Sequence, residues 1–163
     1  MTTDDGFWAT RRLILQGAGL VALAGFGTIA FDAAPAQAAI PEKYPAKAFT
    51  LKGDDKALEA LYGRTVEVSD KVQLDAPEIA ENGAVVPISA TTTLANVTSI
   101  SFMVSENPNA LAAYYQIPEG TLPEVANRLK MAKTTKVTAI VEAGGKLYSA
   151  TKEVKVTIGG CGG

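Results

Sequence analysis

The chain has 163 residues, 47% hydrophobic and 20% charged, with a formal net charge of -2. That is the composition of one ordinary globular domain and lacks the basic balance of a nucleic-acid binder. It holds no histidine and a single cysteine, which excludes zinc sites built from several Cys or His ligands and any Ser-His or Cys-His nucleophile pair.

In chain order, residues 1–38 read as an address rather than as structure. Arg11 and Arg12 stand directly before an uncharged stretch, 13–31, rich in Ala, Gly and Leu. Asp32 and Pro35 close that stretch, and Ala36-Gln37-Ala38 offers small residues at the positions a signal peptidase reads. Cleavage is expected between Ala38 and Ala39, with a cut after Ala36 as the alternative. A transmembrane anchor is the competing reading; dilution by Gly and Ala and the cleavage-like end favour a removed signal and no membrane anchor. The arginine pair resembles the signal of the bacterial twin-arginine (Tat) pathway, a receptor-read address to the periplasm. It differs in having Ile14 where Phe is common and Gln16 where Lys is common. That route carries folded cargo, so with no cofactor motif in sight the resemblance implies assembly with a partner before export.

Residues 39–53 are expected to be an N-terminal extension. A short helix follows, capped by Asp54 or Asp55, with Ala57, Leu58 and Leu61 at helical spacing and Gly63 to end it. Its expected role is structural, closing one end of the core.

The period then changes to two. Val72 and Leu74 suggest a short strand. Val86, Ile88 and Ala90 form one inward file, and Ile100, Phe102 and Val104 another, alternating with Ser99, Ser101 and Met103. Leu111, Ala113, Tyr115 and Ile117 make a third file. The segment 122–132 fits an edge strand through Val125, Asn127, Leu129 and Met131. Val137, Ala139, Val141 and Ala143 give a further file, and Tyr148, Ala150, Val154, Val156 and Ile158 the longest, with Lys152 its one exception. Gly144-Gly145 suits a two-residue hairpin, while Asn82-Gly83, Asn107-Pro108-Asn109 and Pro118-Glu119-Gly120 mark other turns. Six or seven short strands at this spacing predict an all-β fold over 54–158, an immunoglobulin-like antiparallel β-sandwich.

After Ile158 the chain reads Gly159-Gly160-Cys161-Gly162-Gly163. Glycine has no side chain to pack and the freest backbone, so these five residues are expected to form an arm and not a core element. Extended, they reach about 16–18 Å with one side chain along their length. Glycine neighbours and a nearby terminal carboxylate do nothing to favour the thiolate. Cys161 is therefore expected to be accessible but activated only by an enzyme it visits. The competing reading is an odd cysteine that links two exported copies, or a binding module, through a disulfide.

A twin-arginine signal, a small strand-rich domain and this terminal pentapeptide together resemble SoxY, the sulfur-carrier family of the bacterial thiosulfate-oxidising (Sox) system. The resemblance implies a non-enzymatic carrier without a cofactor or metal of its own, with Cys161 as covalent sulfur attachment site and Gly159, Gly160, Gly162 and Gly163 as the slim swinging arm. It implies a heterodimer with SoxZ, another small β-sandwich. It further implies transient visits to a c-type haem enzyme, a manganese-dependent sulfate-releasing hydrolase and a sulfur dehydrogenase. Arg128, Lys130, Lys133 and Lys136 are read as a solvated edge that resists sheet-to-sheet aggregation, with docking of an anionic cargo or acidic partner as the alternative.

Overall fold

The computed structural model describes residues 44–158. These residues form nine strands: β1 (Val66–Val68), β2 (Val72–Asp75), β3 (Ile79–Ala80), β4 (Val86–Thr92), β5 (Val97–Val104), β6 (Leu111–Gln116), β7 (Glu124–Leu129), β8 (Thr135–Ala143) and β9 (Lys146–Val156). A 3₁₀ turn, Ala48–Thr50, and one helix, α1 (Asp54–Leu61), precede them.

The larger sheet runs β1-β9-β8-β5-β6, with β3 also on β9, and the smaller runs β2-β4-β7. The molecule is an all-β immunoglobulin-like sandwich: one sheet holds the first, second and fifth major strands, the other the third, fourth, sixth and seventh. Ile100, Phe102, Val137, Val141 and Val154 from the larger sheet meet Val86, Ile88, Ala90, Val125 and Leu129 from the smaller. Phe102 is fully buried, its ring edge-on to Tyr115 at 6.4 Å between centroids; burying such a side chain stabilises by about 1.5–3 kcal/mol. Gly144 and Gly145 join β8 to β9 with φ of 56° and 77°, left-handed at both positions as a tight hairpin requires.

β1 and β3 escape the alternation argument because each is too short to show a period. Both pair in parallel with β9, through Val66↔Leu147 and Ile79↔Lys155. Together they cover the two ends of an edge that would otherwise offer unpaired backbone groups. Lys152, the exception in β9, is half-buried, and its ammonium donates to the Ala76 carbonyl at 2.5 Å. The stem lies along the core face while the charge reaches a backbone acceptor.

The helix departs from expectation in two ways. Its N-cap is Gly53, at φ 83°, and neither Asp54 nor Asp55 caps it; both lie in the first turn, where carboxylates favour the helix dipole. Asp54 instead accepts a hydrogen bond from Ser105 Oγ at 2.5 Å. Gly63 does end the helix, at φ 61°. Nor does α1 close an end of the core. With the preceding turn it lies over the far face of the larger sheet, where Ala48 and Ala57 pack with Met103, Leu111, Ile140 and Leu147.

That cover explains why β5 is buried on both faces. The file Ser99, Ser101 and Met103, expected towards solvent, is at most 2% exposed. A bulge between Phe102 and Met103, where β6 gives two residues against one, turns Leu111 out of its predicted inward file and under the helix. The buried serines are satisfied by the residue that follows α1: Tyr62 Oη lies 3.2 Å from Ser99 Oγ and 3.0 Å from Ser101 Oγ. Ser99 Oγ donates to Glu142 Oε2 at 3.1 Å, and Glu142 pairs with Arg64. Since Ser99 gives its proton to a carboxylate, it accepts from the Tyr62 hydroxyl, which accepts in turn from Ser101. Burial pushes the Tyr62 phenol above its ordinary pKa, more than the two serine hydrogen bonds lower it. For Glu142, burial alone would raise the carboxyl, but hydrogen bonds from Arg64, Thr98 and Ser99, with the guanidinium charge, hold it below the usual range.

Candidate functional site at the root of the C-terminal arm

Strand β9 carries the chain to residue 159, so the site is built on how β9 ends. Its ladder with β8 stops at Thr135↔Val154. The four residues after Val154 are nevertheless held, Lys155 by donating to the Glu78 carbonyl at 2.9 Å. Val156 N donates to Thr134 Oγ1 at 2.9 Å, where a side chain replaces the missing ladder acceptor. Thr157 N donates to the Ala80 carbonyl at 3.1 Å, and the Ile158 carbonyl accepts from Gly83 N at 2.8 Å. Thr157 Oγ1 also lies 3.0 Å from the Glu81 carbonyl as donor. The parallel partner β3 makes this possible, because it runs beside β9 in the same direction and then leads into the Asn82-Gly83 turn.

That turn is braced from behind. Ala84 N donates to Asn82 Oδ1 at 2.8 Å, and Met131 N donates to the Gly83 carbonyl at 2.7 Å. Buried Gly83 thus bridges the last described residue, Ile158, and the chain leaving β7. Asn107 ties two loops at the same end, donating from Nδ2 to the Lys130 carbonyl at 2.7 Å and accepting from Ala132 N at 3.0 Å. The result is a knitted end of the sandwich that holds the chain in place as far as Ile158. Ile158 was expected in the inward file of β9; it lies beyond the strand and is 68% exposed.

Cys161 and its glycines Gly159, Gly160, Gly162 and Gly163 lie outside the described residues, as do Arg11, Arg12 and the 1–38 signal. The four basic residues are all exposed, but they do not share one edge. Arg128 is on β7, an edge strand of the smaller sheet, whereas Lys136 is on β8, inside the larger one. Lys133 pairs with Glu106 at 2.9 Å across an exposed surface, a contact worth about 0–1 kcal/mol. Among the described residues no group of three or more His, Cys, Asp or Glu is placed to hold a metal ion, and no helix is long and apolar enough to cross a membrane. Sequence reasoning marked Asn82-Gly83 only as a turn and passed over Thr134 and Thr157. Their role depends on a parallel pairing between distant segments that no local pattern announces.

The family model described as sulfur oxidation protein SoxY matches residues 58–161, running from the middle of α1 onto the arm cysteine itself. The chain belongs to the SoxY family. Among solved structures it is similar to the sulfur carrier protein SoxY from Chlorobium limicola f thiosulfatophilum, with 43% identity over 64% of this chain and 96% of that one, at a TM-score of 0.59. It is also similar, at 20% identity, to the superoxide reductase (neelaredoxin) from Ignicoccus hospitalis, covering 53% of this chain and 80% of that one, with a TM-score of 0.46. No curated protein matches. The match thus takes in both the knitted end at Ile158 and Cys161.

Proposed function

We propose that this protein is a periplasmic sulfur carrier of thiosulfate oxidation, exported by the twin-arginine pathway, that holds its substrate covalently on Cys161. One observation carries the reading: the family match extends through the glycines onto Cys161, the only cysteine of the chain. The Chlorobium relative, a sulfur carrier protein by its description, supports it.

The chemistry divides between the carrier and the enzymes it visits. A c-type haem enzyme joins thiosulfate to the thiol, forming an S–S bond; the thiol loses its proton, and an electron pair passes to the haem enzyme. Cys161 then bears an S-thiosulfonate. A manganese-dependent hydrolase adds water across the terminal S–S bond, releasing sulfate and leaving a persulfide. A sulfur dehydrogenase oxidises the remaining sulfane sulfur to a sulfonate with oxygen from water, and a second hydrolysis frees the thiol. This chain supplies the covalent anchor, the reach of the five terminal residues and a rigid base for them. It needs no cofactor of its own and acts as substrate rather than as enzyme. A SoxZ-like small β-sandwich completes the heterodimer.

The test is the intact mass of the mature protein from thiosulfate-grown cells, before and after reduction, with any adduct placed by peptide mapping. Reducible thiosulfonate or sulfane additions confined to Cys161 are expected. A cysteine found only as a free thiol or as a homodimer disulfide would move the disulfide-linked binding module ahead.

A further inference from the structure

We infer that Thr134 and Thr157 are positioning residues, which fix the point where the arm leaves the domain and thereby set how far Cys161 is presented. The inference rests on the carrier reading and deepens it. Both threonines are exposed, and neither adds to the core. The Thr134 hydroxyl instead serves a main-chain group of the last described residues, and the Thr157 hydroxyl ties its own residue to the segment that leads into the Asn82-Gly83 turn. Thr134 Oγ1 accepts from Val156 N where the β8 ladder has run out, and Thr157 Oγ1 donates to the Glu81 carbonyl. With the Gly83–Ile158 hydrogen bond, residues 156, 157 and 158 are each tied.

The consequence is geometric. With these ties closed, the tether that the carrier reading gives Cys161 starts after Ile158 and spans at most about 16–18 Å when extended; with them open, three more residues add about 10 Å. A longer tether dilutes the cysteine over a larger volume and costs more entropy to thread to one reacting position. The loss is borne when the arm enters the enzyme, so KM for the loaded carrier rises while kcat, set once the sulfur is in place, changes little.

The experiment uses the full mature protein with Thr134→Val and Thr157→Val, singly and together, and Thr134→Ser as the conservative control. Cys161 is loaded by tetrathionate: the thiolate attacks a central sulfur and expels thiosulfate, leaving the S-thiosulfonate. Sulfate release by the manganese-dependent hydrolase is followed, and amide exchange is measured at Val156, Thr157 and Gly83, the three donors of these ties. For the double Val variant, exchange at those amides is expected to rise about tenfold, as loss of a typical hydrogen bond or two implies. KM should rise about three- to tenfold with kcat within about twofold, and Thr134→Ser should behave as the unaltered protein. Unchanged protection at Val156, Thr157 and Gly83 overturns the inference, because the hydroxyls then do not hold the root. Faster exchange with an unchanged KM also overturns it, since the ties are then structural only. If the unaltered protein, loaded on Cys161, releases no sulfate, the carrier reading fails and the positioning role with it; amide exchange, which needs no partner, tells that failure from a failure of the ties.

Discussion

Replacing Tyr62 by Phe tests whether α1 is fastened to the sheet by its hydroxyl or only by apolar packing. The substitution keeps the ring and removes an oxygen that contacts Ser99 Oγ at 3.2 Å and Ser101 Oγ at 3.0 Å. Two neutral hydrogen bonds contribute about 1–2 kcal/mol net. Ser101 is fully buried, and the hydroxyl of Tyr62 is its side-chain partner, so the stranded serine pushes the cost upward, to about 2–3 kcal/mol. Ser101→Ala alone should cost about 1 kcal/mol. The double variant should cost less than the sum of the two, by about 1 kcal/mol, because it leaves no orphaned serine. Equilibrium denaturation in urea, fitted with a common slope, reads all three differences. The pH dependence gives an independent check. A phenol whose pKa is raised on folding supports the fold fully below the unfolded value of about 10, and that support is lost as pH climbs towards the folded value. Tyr62→Phe should lack this part of the alkaline loss. A Phe variant within about 0.3 kcal/mol of the unaltered protein, with additive double-variant energetics, would refute the network as the fastening.

Glu142 titrates with the opposite sign. Its carboxyl is held low in the fold, so its contribution is present above about pH 4.5 and is lost as pH falls through the folded value. Glu142→Gln should therefore flatten the acid limb of a thermal-melt series between about pH 5 and 3. Lys152→Met keeps the stem on the core face and gives up the bond to Ala76 together with the burial of a charge, so its stability should move by less than about 1 kcal/mol. Lys152→Glu, which sets a carboxylate against that carbonyl, should cost more than about 2 kcal/mol in the same urea titration. Cys161→Ser should abolish sulfur loading in the intact-mass assay and leave the melting temperature within about 1 °C, because the core is built from residues before it.

How far the fold was legible follows from what each pattern requires. Where a strand has one face on the core and the other towards water, alternation tells the face directly, as Val86, Ile88 and Ala90 do on β4. It misleads on β5, because Ser99 and Ser101 are polar but covered. Their burial is decided by Tyr62 and Ala57, residues some forty positions away, which a local pattern does not contain. Leu111 fails for a different reason: one inserted residue at a bulge reverses every face beyond it. Capping fails at Asp54 because a glycine with positive φ can take the cap position and free the carboxylate for Ser105.

The site divides along the same line. The family was legible at the chain's end, where one thiol stands among four glycines, and the family model runs through residue 161. What holds the end of β9 was not legible, because it depends on two segments far apart in sequence. A chain end can serve as a reach-setting arm only if its last residues before the arm do not fray, and terminal strand residues fray by default. β9 avoids this by gaining a parallel partner just where its antiparallel one ends: the pairing with β8 stops at Val154, and the β3 segment takes over from Lys155 to Ile158. The handover requires backbone donors on β9 to alternate between the two neighbours. They do, with Lys155 and Thr157 facing Glu78 and Ala80, and Val156 facing Thr134. Residues 78–83, which add little to the core, are thus explained by the strand they steady.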